Sequence, residues 1–245
     1  MAVWRQIWQD CIAVGKETLL KNDQKGKLFE ELKQKYPGDA MVFFEEAIAL
    51  DCLKNYKKAI ELYQTAYNEL PVKHWKENAN YLLLKAKIKN ENLKIPKLTI
   101  EDVKKLNTNE LSENDFKMFG YFYLHSYCHL PDNVRQLSIS SMSRIDTESA
   151  MAIAIFRTCI EISLKKVFKE EYNFTDDDSL GYVIETLEKD NKINEILSPI
   201  KKIRKAGNDA IHQAKVFAPN EIAKIIVYFD IVMEHFDKKF KEKKI

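Results

Sequence analysis

From Asn220 to Lys243 the apolar residues Ile222, Ile225, Ile226, Phe229, Val232, Met233, Phe236 and Phe240 return at every third or fourth position. That interval puts side chains on one stripe of an α-helix. Pro219, Asn220 and Glu221 stand at its start, where a missing amide proton is harmless and a negative charge is favoured. The same interval predicts helices over 147–170, with Ile153, Ile160, Leu164 and Phe168 buried, over 179–190, and over 193–206 continuing through a break to about 215. The chain has 245 residues but only six Gly and six Pro. Turn-forming material is scarce and no βαβ rhythm is visible, so the pattern predicts an all-α protein. With 45% hydrophobic residues, two modest domains can each fill a core.

Pro37 and Pro71 bracket a stretch that reads as one helix-turn-helix unit. Ala47, Ala59 and Ala66 are small where two helices approach closely, and Leu50 and Tyr63 fill the gap between them. Residues 40–73 resemble a tetratricopeptide repeat on these positions. Residues 6–39 resemble one less closely: Ala13 and Phe29 fit, but Lys25 and Leu32 replace small residues. The expected organisation is a tetratricopeptide-like array of helical hairpins over 1–90, with residues 74–90 as the polar-faced helix closing the stack. Residues 91–145 form a linker, punctuated by Pro96, and a connecting helix over about 114–129. Helix starts are expected at Thr99–Asp102 and Ser112–Asp115. Residues 146–245 form a four-helix bundle.

The 39 basic and 37 acidic residues leave a formal charge of +2, so any contact with nucleic acid must be local. Cys11, Cys52, Cys128 and Cys159 are scattered, which implies reduced thiols and a cytoplasmic protein. The first residues lack a signal-peptide core, and no apolar run approaches the roughly 20 residues of a membrane span. His125, Cys128 and His129 have a spacing that zinc accepts, but no acidic partner lies between them and no further ligand cluster is evident. No metal or other cofactor is expected. Phosphate loops and nucleophile elbows are likewise missing from the sequence.

Chemistry concentrates in Arg204-Lys-Ala-Gly-Asn-Asp-Ala-Ile-His212. Gly207 can end a helix, or let another helix pack on bare backbone. Asn208 suits the start of the next turn and stands four residues before His212, whose ring it could hold for acid-base work. Asp209 flanks the pair. Lys201, Lys202 and Lys205 give a basic edge suited to RNA. On the helix over 147–170, Arg157 falls near the middle of the buried stripe with Glu161 beside it, and their spacing allows them to pair. That pair either fixes helix register alone or buttresses the turn around His212.

Residues 146–243 resemble a HEPN domain, in the branch that carries Arg-x-x-x-Glu early and Arg-x-x-Gly-Asn-x-x-x-His late. Ser179 to Ile184 fits the same branch. The resemblance implies a helical bundle that pairs as a homodimer and binds RNA, cuts RNA without a metal, or serves as an inactive scaffold. Bacterial toxin and antiviral defence systems use such domains. For an endoribonuclease, the implied catalytic residues are His212, Arg204 and Asn208, with Arg157, Glu161, Gly207 and Asp209 in support. In catalytic relatives an arginine lies four to six residues from the histidine. Here Arg204 lies outside that window, and Gly207 and Lys205 lie inside it. A non-catalytic adaptor, binding a protein or peptide through its repeats, is the other expectation.

Overall fold

The computed structural model describes residues 2–94, 113–213 and 215–243. Among these residues there are twelve helices and no strand, so the protein is all-α. The linker around Pro96 and the helix start expected at Thr99 lie outside the described residues. The chain divides into two compact units, one holding residues up to Glu91 and the other holding those from 113 onward.

The first unit contains α1 (Ala2–Leu20), α2 (Phe29–Lys35), α3 (Ala40–Cys52), α4 (Tyr56–Glu69) and α5 (Lys73–Lys94). α1 and α2 pack on α3, and α3 and α4 form a helical hairpin. Asp39 opens α3 by accepting the Met41 amide proton at 2.9 Å, which satisfies one of the helix's unpaired donors. Lys54 turns the chain between the two helices with φ +62°. Ala47, Ala59 and Ala66 are fully buried, and these small side chains let the helices meet closely. Among the described residues of this unit two carboxylates are buried, and both are paired. Glu46 receives Lys33 at 2.8 Å and Lys58 at 3.0 Å, and Asp51 receives Lys89 at 3.0 Å. Every residue from Ala79 to Ala86 on α5 is buried. The expectation that residues 74–90 form a polar-faced closing helix is therefore wrong, because a helix closing a stack must leave one side to water.

The second unit contains α6 (Glu113–Ser126), α7 (Asp132–Ser143), α8 (Ser149–Val167), α9 (Lys169–Tyr172), α10 (Leu180–Lys189), α11 (Leu197–Gln213) and α12 (Pro219–Lys243). α8 packs against α7, α11 and α12, and α12 also meets α6 and α11. Phe156 and Phe229 stack at 4.0 Å in the core. α10 lies against α8 and α11 and is capped by Ser179, whose hydroxyl accepts the Tyr182 amide proton. At the start of α12, Glu221 accepts from the Ala218 amide and from Lys215, which together hold its carboxyl below the usual glutamate range. The sequence pattern sets residues 91–145 apart and gives no helix at α7. Both α6 and α7 belong to this unit, which begins well before residue 146.

Candidate functional site

α11 buries Leu197, Pro199, Ile200, Ile203, Ala206 and Gly207. At 3.6 residues per turn, Lys201, Lys205, Asn208 and His212 share the opposite face. Arg204 lies at one edge of that face, and Lys202 and Asp209 lie at the other. The helix is continuous from Leu197 to Gln213. The expected break at Gly207 does not occur, and Asn208 sits inside the helix instead of opening a new turn.

Gly207 performs the second of its two candidate duties. A Cβ atom there would lie 2.7 Å from Arg157 Cβ and 2.9 Å from Arg157 Cδ. The missing side chain makes room for the arginine stem where α8 crosses α11. Arg157 Nε then donates to Asn208 Oδ1 at 3.0 Å, and Nη1 meets Glu161 Oε2 at 3.5 Å. Glu161 also accepts from Lys165 at 3.0 Å, and Lys165 reaches the Asp176 carbonyl. Arg157 and Glu161 do pair as their spacing predicts, but they do not lie mid-stripe. Their side chains keep 25% and 23% of their exposure, because the Gly207 groove carries the arginine along the margin of the core.

This network fixes Asn208 from the α8 side. Its carbonyl oxygen serves Arg157, so the expected Asn208 hold on His212 is not made. His212 is exposed in the last turn of α11, and among the described residues it makes no hydrogen bond or ion pair.

Arg204 meets a second glycine. A Cβ on Gly181 would lie 2.5 Å from Arg204 Nη2 and 3.1 Å from its Cζ. The guanidinium thus rests on the bare backbone at the start of α10. Among the described residues it has neither a carboxylate partner nor a hydrogen bond. Lys202, Lys205 and the Asp209 carboxylate are also without partners among them, while Lys201 pairs with Glu188 at 2.6 Å. Arg204 and His212 are eight residues apart, about 12 Å along the axis, so one chain does not bring both to a single phosphorus atom. Two participants escaped the sequence reading: Gly181 as the floor under Arg204, and Lys165 as the second cation on Glu161. A glycine in the first turn of an amphipathic helix is a signal for the former.

His129 Nδ1 lies 3.1 Å from Asp237 Oδ2, and the same carboxylate accepts the His129 and Leu130 amide protons. Cys128 Sγ approaches the same ring nitrogen at 3.5 Å. The sulfur also lies 3.9 Å from Nε2. The contacts anchor the loop after α6. Among the described residues no group of three metal-ligating side chains forms, and no helix is long and apolar enough to cross a membrane.

No protein-family model, curated protein or solved structure matches this chain.

Proposed function

We propose that the protein is a HEPN-like, RNA-associated adaptor that binds an RNA backbone on the exposed face of α11 without cutting it. The observation that carries this reading is Arg204. Its guanidinium lies over Gly181 with no carboxylate to neutralise it, beside Lys205 and Lys201 on one helix. A planar fork held in this way suits the paired oxygens of a phosphate, and Lys205, which has no partner among the described residues, supplies a point charge along the strand. The axial separation of Arg204 and His212 supports binding over cleavage within one chain. Residues 1–90 then serve a protein or peptide partner, and the second unit pairs as a homodimer. The exposed Met151, Tyr182, Ile211 and Val216 give that pairing apolar surface. The setting is a bacterial toxin or antiviral defence system in the cytoplasm.

Fluorescence anisotropy with a labelled single-stranded RNA tests the reading. Arg204→Ala should weaken binding by about tenfold and lower the salt slope by about one ion. Unchanged affinity overturns it.

A second reading has one observation in its favour: the His212 ring is exposed and unbonded. A dimer that sets His212 of one chain beside Arg204 of the other would assemble a metal-independent endoribonuclease. In that reaction the imidazole takes the 2′-hydroxyl proton and the guanidinium stabilises charge on the phosphoryl oxygens. The signature is RNA ending in a 2′,3′-cyclic phosphate, formed in EDTA and abolished by both His212→Ala and Arg204→Ala.

A further inference from the structure

Between α4 and α5, within the first unit, lies a pocket of about 170 Å³ lined by Gln64, Tyr67, Asn68, Asn80, Leu83, Leu84 and Lys87. Its volume is about half the lower limit for sites that hold drug-sized ligands or cofactors. It matches one short side chain or end group.

Two of its lining groups are chemically unfinished. Asn80 is only 7% exposed, and among the described residues its Nδ2, sealed from solvent, has no hydrogen-bond partner. A buried amide in that state is costly, so it either serves a ligand or wastes stability. Lys87 is half-buried and, among the described residues, its ammonium has no carboxylate or acceptor. Other lysines of the unit have carboxylate partners: the half-buried Lys33 and Lys58 pair with Glu46, and the buried Lys89 pairs with Asp51. No acidic side chain lines the pocket. Gln64 and Asn68 bond each other at the rim, and Leu83 and Leu84 add apolar wall against which a short aliphatic stem can pack.

We propose that this pocket binds a carboxylate on a short aliphatic stem, with one oxygen on Lys87 and the other on the Asn80 amide, whose sealed Nδ2 turns toward the pocket to meet it. The inference rests on the reading that residues 1–90 receive a partner, and it supplies the chemistry that such a partner presents. A neutral carboxamide of the same shape brings a donor toward a donor and leaves the lysine charge unanswered, so charge is the basis of selection. The carboxylate comes from either of two sources, an acidic side chain in a polypeptide or a small free dicarboxylic acid.

Titrating the ¹⁵N-labelled full chain decides the matter by heteronuclear NMR. The probes are acetyl-Gly-Glu-Gly-amide, acetyl-Gly-Gln-Gly-amide and glutarate, with the Asn80 side-chain amide signals as the readout. Saturating shifts with the glutamate peptide, and binding of the glutamine peptide weaker by about tenfold or more, are expected. Glutarate binding as tightly as the glutamate peptide assigns the site to a free acid. Tighter peptide binding assigns it to a polypeptide. Lys87→Gln, a change at a half-exposed position, should reduce carboxylate binding by about tenfold while leaving the rest of the spectrum in place. Unmoved Asn80 signals, equal shifts with both peptides, or full binding by Lys87→Gln would each overturn the proposal. Arg204→Ala lies in the other unit and should leave this titration untouched. Loss of RNA binding and loss of carboxylate binding are therefore separate results.

Discussion

The α8–α11 contact and the α10–α11 contact are both built from a glycine and an arginine, yet they differ in what the arginine has left to give. At the first, Gly207 receives the stem of Arg157, and the guanidinium beyond it is bound to Asn208 and Glu161. At the second, Gly181 receives the guanidinium of Arg204 itself, and no acceptor follows among the described residues. A stem contact spends the residue on helix packing. A head contact orients the charge and leaves its donors available. The same two residue types thus form a structural joint in one place and a candidate phosphate fork in the other.

Gly207→Ala tests the rigid side and should have the largest effect. The added methyl meets Arg157 Cβ, an atom fixed to the α8 backbone. Against an atom so fixed the overpacking cost lies at the upper end of the range of about 1–3 kcal/mol, and after the gain of about 1 kcal/mol from replacing helical glycine a net loss of about 2 kcal/mol remains. Thermal unfolding should fall by a few degrees, about 2–4 °C for each kcal/mol in a chain of this size. A stabilised Gly207→Ala would show that the joint is loose.

Arg157→Ala comes next. Its partners Asn208 and Glu161 keep some access to water, and Lys165 remains on Glu161. The loss should be about 1–2 kcal/mol, below the 3–5 kcal/mol (approximately) that follows removal of a partner from a fully buried pair. Arg157→Met combined with Glu161→Leu should recover part of it in a denaturant titration. A loss as large as the fully buried case would mean that the Gly207 groove excludes water more completely than the side-chain exposures indicate.

The smallest stability change belongs to Gly181→Ala. The methyl meets only the far end of a flexible side chain, so Arg204 swings aside and the helix gains propensity. Stability should stay level or rise by up to about 1 kcal/mol. RNA affinity should fall all the same, because the guanidinium loses its platform. Anisotropy and thermal unfolding on one preparation would separate the two effects. Intact RNA affinity in this variant would remove Gly181 from the site.

Periodicity carried most of the fold. The stripe of α12 and the Arg157–Glu161 spacing are written in i, i+3 and i+4 intervals, and both elements form where those intervals place them. α7 was not legible because Ser138, Ser140, Ser141 and Ser143 dilute its apolar stripe. The buried Ser138 and Ser141 bond backbone carbonyls instead, leaving Val134 and Met142 as the apolar residues among its buried positions. The continuity of α11 was hidden for another reason. Glycine costs a helix locally, and only the approach of α8 explains why the cost is accepted at Gly207. Arg204 over Gly181 is a contact between helices remote in sequence, and single-chain spacing holds no record of it.

All three tryptophans belong to the first unit, where Trp4, Trp8 and Trp75 lie with ring centroids 6.1–6.4 Å apart. The second unit has tyrosine and phenylalanine but no indole. Light absorbed at the red edge of the tryptophan band is therefore taken up in the first unit alone, and emission follows the melting of that unit with its neighbour spectrally silent. Circular dichroism in the amide band sums both units. The difference between the two melting curves isolates the helices that carry Arg157 and Arg204, so the stability of the candidate site can be read in the intact chain without cutting it in two.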